Sequence, residues 1–193
     1  VSILGFDNIS NEIEKFLKKK KITMEGIIKD RNYVGIKKTR VMVRNNQIVR
    51  IDYEKINEDL SLKHFIRIKK FINEQINSLD FVIISDYGKG FCDKKIVKFV
   101  IKLCKSRKIK ILIDPRKKLG DYSIYQNADY ISPNLGELRT IFPNLKDEDK
   151  EIMQKAKKLL KQFSINNIIV TRGSKGITFI DNNKFKHLDS DAK

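Results

Sequence analysis

The residues best suited to chemistry in this chain sit where apolar runs stop. Tyr130-Ile131 ends at Ser132-Pro133, Asn134 follows, and Glu137 comes three residues later as a helical pattern begins. A strand that turns abruptly into a helix leaves backbone N–H groups and the positive end of a helix dipole aimed at one spot, a natural place for phosphate. The same residues also spell a capping box, with Asn134 as N-cap and Glu137 reaching back, an arrangement worth about 1 kcal/mol. One junction does not decide between the two. The pattern recurs, however. Phe81-Val-Ile-Ile84 runs into Ser85-Asp-Tyr-Gly-Lys-Gly90, Ile109-Lys-Ile-Leu-Ile113 into Asp114-Pro-Arg116, and Ile168-Ile-Val170 into Thr171-Arg-Gly-Ser-Lys-Gly176. In open α/β sheets ligands bind outside the carboxyl ends of the strands, so these turns would line one edge. Asp86 and Asp114 could hold a metal or a hydroxyl there, or could cap a turn. Thr171-x-Gly173-x-x-Gly176 could wrap a phosphate with N–H groups, or be an ordinary strand turn. Gly88-Lys-Gly90 opens like a dinucleotide fingerprint, but Asp93 takes the third glycine's place, and no P-loop is present.

The elements that must carry these turns follow from periodicity. Residues 1–4 read as a strand ending at Gly5-Phe6-Asp7, and 8–20 as a helix with Ile9, Ile13, Phe16 and Leu17 on one stripe. A strand is expected at 22–28. Residues 34–43 and 48–53 flank the turn pair Asn45-Asn46, and Val41, Val43, Val49 and Ile51 alternate, which predicts a β-hairpin. Its other face carries Lys38, Arg40, Arg44, Arg50 and Asp52, so it is no core pair. The pattern leaves open a solvated edge, a lid or a dimer element. Helices are expected at 62–76, from the cap Asp93 through Arg107, at 135–142 before Pro143, and from the acidic Asp147-Glu148-Asp149 to Phe163. Strands are expected at 81–84, 109–113, 128–131, 168–170, 177–180 and 184–187, the last two joined by Asn182-Asn183. Strand–helix alternation implies an α/β fold with a mostly parallel sheet covered on both faces.

The 193 residues suit one domain with a substantial core, or one large domain plus a small appendage. Hydrophobic residues at 40% exclude a disordered chain, and no apolar run approaches the ~20 residues of a membrane span. Net charge is +17. A basic surface can be the footprint of nucleic-acid binding, but the lysines are scattered apart from residues 18–21 and no nucleic-acid motif accompanies them. Compositional bias is the favoured reading, and a positive field would still serve a cleft for phosphates. Cys92 and Cys104 lack metal spacing, and with His64 and His187 they complete no metal set. They read as free thiols on a helix in a cytoplasmic protein. Val1 in place of Met is what a piece of a longer polypeptide would show.

Taken in order, the motifs form a known series. Lys38-Thr-Arg40, Arg44-Asn-Asn-Gln47, Arg50-Ile-Asp-Tyr-Glu54, Ser85-Asp-Tyr-Gly-Lys-Gly90, Asp114-Pro-Arg116, Ser132-Pro-Asn-Leu-Gly-Glu137 and Thr171-Arg-Gly-Ser-Lys-Gly176 resemble the ribokinase-like family of carbohydrate kinases. Within it the likeness is to bacterial heptose 7-phosphate kinases, including the kinase half of the bifunctional heptose kinase/adenylyltransferases. The resemblance implies a three-layer α/β/α kinase domain over residues 1–193, with a hairpin lid at 34–53. It implies ATP held by Asn134, Leu135, Gly136, Glu137, Thr171, Gly173 and Gly176, with Glu137 helping to organise Mg²⁺. Lys38, Arg40, Gln47, Arg50, Asp86, Lys89 and Asp114 would face a heptose phosphate, and the lids would pair into a homodimer. No nucleic-acid or membrane partner is implied. The reaction would move the ATP γ-phosphoryl to O1 of a heptose 7-phosphate, for cell-envelope sugar synthesis. Asn46 and Arg116 stand where a Gln and a Lys are usual in those kinases. The family's G-A-G-D motif, which supplies the catalytic base, is absent and is expected after Lys193, so the isolated chain is expected to be inactive. The alternatives are a ribokinase-like kinase for another sugar or nucleoside and, in a different class, a basic nucleic-acid-binding module.

Overall fold

The structure, a computed structural model, describes residues 1–54, 60–116 and 120–190. The chain forms two compact units, one of Val1–Phe71 with Lys89–Phe91 and one of Ile72–Gly88 with Cys92–Lys193.

In the first unit β1 (Ser2–Leu4) pairs in parallel with β2 (Ile27–Lys29). The strand expected at 22–28 is therefore only its last part, because β1 offers three residues to pair with before the chain turns at Gly5. Helix α1 (Asn8–Lys19) is capped by Asp7. The Asp7 carboxylate accepts from the N–H and hydroxyl of Ser10 and the N–H of Gly35, each at 3.0 Å, while Ser10 Oγ accepts from Gly5 N–H at 2.9 Å. These bonds hold the carboxyl down at about 2. The apolar stripe of α1 is only half-buried, and Phe16 is exposed.

The hairpin pairs β3 (Lys37–Val43) with β4 (Asn46–Tyr53). Its turn lies one residue earlier than expected, at Arg44-Asn45, with Arg44 left-handed at φ 52°. A bulge at Val41/Met42 shifts the register, so the simple alternation does not run the length of the pair. All of β4 is exposed. Helix α2 (Leu62–Gln75) buries Ile68.

The second unit is built on a sheet in the order β10-β9-β8-β7-β6-β5. Strands β5 (Phe81–Ser85), β6 (Lys110–Asp114), β7 (Tyr130–Ile131) and β8 (Asn167–Thr171) run parallel. The meander β9 (Ile177–Ile180) and β10 (Phe185–Leu188) adds antiparallel strands. The β-branched residues Ile111, Ile113, Ile131, Ile168, Val170 and Ile180 are buried. Helix α3 (Lys94–Ser106) contributes Val97, Val100, Ile101 and Cys104, and α5 (Asp149–Phe163) contributes Ile152, Ala156, Leu159 and Leu160. Each larger side chain so buried is worth about 1.5–3 kcal/mol against solvent exposure. Asp93 caps α3 as expected, accepting from Ile96 N–H at 2.8 Å. Strand β5 departs from the expected cover on both faces: Phe81 and Ile83 are exposed while Ile84 is buried.

Candidate active site

Four turns of the second unit meet along the carboxyl edge of its sheet. Asp86 N–H donates to Asp114 C=O at 2.9 Å, Ser132 N–H to Ile113 C=O at 2.8 Å, and Thr171 N–H to Pro133 C=O at 3.0 Å. Asn134 and Thr171 form a parallel bridge. Ladder pairing thus continues past the strand ends and welds Asp86, Asp114, Asn134 and Thr171 into one rim. Ser85 Oγ donates to Asp114 Oδ2 at 3.2 Å, fixing that carboxylate on the rim.

Helix α4 (Leu135–Ile141) starts at this rim with the full capping box. Glu137 N–H donates to Asn134 Oδ1 at 2.9 Å; in return the Glu137 carboxylate accepts from Asn134 N–H at 2.9 Å and from Asn134 Nδ2 at 2.7 Å. Glu137 is buried, as is Leu138, and Leu135 and Gly136 form the first turn. The capping reading of Asn134 and Glu137 is thus realised. Mg²⁺ in nucleotide sites keeps several waters and takes one or two carboxylates plus phosphates. Among the described residues no group of three or more acidic, His or Cys side chains could hold a metal. The Asn134 bonds fix the Glu137 carboxylate at the rim and take one acceptor site on each of its oxygens.

The turn after β8 closes on itself. Arg172 N–H donates to Gly176 C=O at 2.9 Å, Lys175 N–H to Arg172 C=O at 3.2 Å and Gly176 N–H to Gly173 C=O at 3.0 Å. Those three N–H groups are taken up within the turn. Gly176 is set by close approach: at φ 90° a Cβ there would lie 2.0 Å from Leu188 C=O. Gly173, at φ 61°, faces open space.

Two side-chain networks at this edge join residues far apart in sequence, and sequence reasoning missed both. Arg172, buried, donates through Nε to Asp147 at 2.7 Å and through Nη1 to Asp149 at 2.5 Å and Thr178 Oγ1 at 3.1 Å. The acidic segment read as a helix first turn serves partly to grip this guanidinium. A hydrogen bond from Lys175, with Arg172 beside it, holds Asp147 below the usual carboxylate range. The second network is buried around Asp86. Its Oδ1 accepts from Gly88 N–H at 2.8 Å and its Oδ2 from the Tyr125 hydroxyl at 2.8 Å, with Arg116 Nε 3.6 Å away. Burial and then the Asp86 charge push the Tyr125 hydroxyl upward. Cys92 lies ahead of α3 and not on it. Burial, with Asp86 nearby, raises its thiol to about 12; buried Cys104 rises to about 11.

The remaining expected substrate residues, Lys38, Arg40, Gln47, Arg50 and Lys89, lie in the first unit. Glu54 gathers two of them, with Lys89 Nζ at 2.5 Å and Lys38 Nζ at 3.7 Å. The hydrogen bond from Lys89 chiefly lowers the Glu54 carboxyl. Asp52 accepts from Lys38 at 3.2 Å and from Arg50 at 2.9 Å. Arg40 stands directly opposite Arg50 in the hairpin register, and the bond from Arg50 to Asp52 offsets part of that like-charge pair. Gln47 pairs with Met42 beyond the bulge.

Known proteins share both sequence and fold with this chain. The pfkB family carbohydrate kinase profile matches residues 1–191. The chain is 33% identical over 192 residues to the Bifunctional protein HldE of Helicobacter pylori (strain P12), covering 99% of this chain and 41% of that protein. It is 29% identical over 184 residues to the protein of the same name from Aliarcobacter butzleri (strain RM4018), covering 95% and 38%. The chain thus spans about two-fifths of the length of these curated relatives. Among solved structures, Sa239 superposes with a TM-score of 0.81 at 17% identity, over 98% of this chain and 60% of that one. Ribokinase from Thermotoga maritima superposes with a TM-score of 0.68 at 17% identity, over 100% and 60%. The ribokinase-like α/β architecture expected from the motifs is the architecture found, and the chain belongs to the pfkB family of carbohydrate kinases.

Proposed function

We propose that this chain is part of an ATP-dependent sugar kinase acting in the cytoplasm on a heptose 7-phosphate. The observation that carries the reading is the rim: Asp86, Asp114, Asn134 and Thr171 come from four turns, yet backbone hydrogen bonds join them at one sheet edge. Phosphoryl transfer asks for positioning and for positive charge around a spreading negative charge, and for little covalent chemistry from the protein. In this reading the nucleotide phosphates lie over Asn134, Leu135, Gly136 and Glu137 and against Thr171, Gly173 and Gly176, with Mg²⁺ carried on the phosphates. Asp114 stands at the rim for the sugar and transferred phosphoryl group, and Asp86 shapes the turn that carries Lys89. Lys38, Arg40, Gln47 and Arg50 are the first unit's candidate contacts to the sugar phosphate. The new bond joins sugar O1 to the γ-phosphorus; the bond from that phosphorus to the ADP oxygen breaks. No described residue is assigned as the base that takes the O1 proton.

The test is a substrate panel with the full-length gene product and Mg-ATP, read by ADP release and by phosphorus NMR of the product. Heptose 7-phosphate is expected to yield a bisphosphate. Turnover of another sugar in its place overturns the substrate, and turnover of none overturns the kinase reading. The 193-residue chain alone is expected to show no transfer.

A further inference from the structure

We propose that Arg116 is the phosphoryl-binding cation of the strand-end rim, and that Asp86 and Tyr125 position it. The inference deepens the kinase reading above and rests on it for the identity of the anion.

The described cations of the strand-end turns are Lys89, Arg116, Arg172 and Lys175. Three are engaged by carboxylates. Arg172 is saturated by Asp147, Asp149 and Thr178; Lys175 Nζ lies 2.7 Å from Asp147; Lys89 Nζ lies 2.5 Å from Glu54. Arg116 differs. Its Nε is buried and makes no hydrogen bond, while its side chain as a whole is 31% exposed. The nearest carboxylate oxygen, Asp86 Oδ2, is 3.6 Å away and already accepts from the Tyr125 hydroxyl, and Asp86 Oδ1 is taken by Gly88 N–H. Asp86 therefore supplies charge that holds the guanidinium in place without absorbing its Nε donor.

The rest of Arg116 is fixed as well. Its backbone N–H donates to the Tyr125 hydroxyl at 3.3 Å, and the same hydroxyl donates to Asp86 at 2.8 Å. Its stem packs on Gly88, where a Cβ would come within 3.2 Å of Arg116 Cδ. Arg116 follows Asp114 by two residues, at the same rim as Asn134 and Thr171. The buried Nε and the Asp86 charge 3.6 Å from it hold the inner side of the guanidinium, and the exposed part of the side chain is what an arriving oxyanion meets. A guanidinium also matches phosphoryl oxygens in pairs, as an ammonium cannot. Two phosphates offer that chemistry: the terminal phosphate of the nucleotide and the phosphate of the acceptor.

The experiment is calorimetric titration of the full-length protein with inorganic tripolyphosphate in one arm and sedoheptulose 7-phosphate in the other. Arg116→Gln is expected to weaken at least one arm by about tenfold or more, and the arm affected names the phosphate; Arg116→Lys, which keeps charge and stem, falls between Gln and wild type. Both arms staying within about threefold of wild type, or a wild type that binds neither probe, overturns the assignment. Tyr125→Phe is expected to weaken the same arm only while Arg116 is present; an equal loss in the Arg116→Gln background overturns the positioning role. Titration reads binding and not turnover. A protein that transfers phosphate but ignores Arg116→Gln therefore overturns only this inference, and one that binds through Arg116 but phosphorylates no sugar overturns only the kinase reading.

Discussion

Single residues at the rim carry more than one constraint, and the glycines show it most simply. Gly173 and Gly176 sit in one turn, both with positive φ, but for different reasons. Gly176 leaves room for the carbonyl of Leu188 and adopts φ 90°, ψ −141°, a region closed to side chains. Gly173 needs only its left-handed backbone. Gly176→Ala should therefore cost about 2–4 kcal/mol, combining strain with overpacking, while Gly173→Ala should cost about 1–2 kcal/mol. Urea denaturation of the two variants beside wild type measures the gap; equal losses would remove the close-approach explanation.

At the scale of elements, caps decide where helices start and hence where the rim lies. The Asn134–Glu137 box starts α4 at the sheet edge, and Asp7 does the same for α1 in the first unit. Asp7 offers a pH test. Its folded value of about 2 is below the ordinary 3.8, so its contribution is complete above about pH 4 and is lost as pH falls through the folded value. Asp7→Ala should lower the thermal midpoint at pH 6 by an amount matching about 1 kcal/mol, and the gap to wild type should shrink towards pH 2. A gap that stays constant over that range would show that hydrogen bonding to the ionised carboxylate is not what stabilises the turn.

On the scale of the whole molecule, apolar surface left bare is the feature to explain. The hairpin exposes Val41, Val43, Ile48, Val49 and Ile51, more than a lone solvated ribbon tolerates. We propose that a second copy covers it, in line with the dimer expected from the motifs. Sedimentation equilibrium of the full-length protein should show a dimer, and Val49→Lys with Ile51→Lys should convert it to monomer without lowering helix content. A wild type that stays monomeric at tens of micromolar would refute the pairing.

Sequence alone determined the order and type of the elements, because period-two and period-3.6 patterns, caps and turn residues are local physics. Apart from the run at 22–28, where only Ile27–Lys29 is a strand, strands and helices fell where Asp93, Asn134, Pro143 and the apolar runs placed them. Motif spacing determined the family, and the hairpin was legible from Asn45 and its alternating valines, though not its bulge. What only the tertiary structure decided were contacts between residues distant along the chain. Asp86, Arg116 and Tyr125 span 39 residues before burial makes them one cluster, and Arg172 meets Asp147 from 25 residues away. No local pattern encodes such meetings: they arise when the sheet stacks its turns in register, and desolvation then makes each unpaired donor or charge matter.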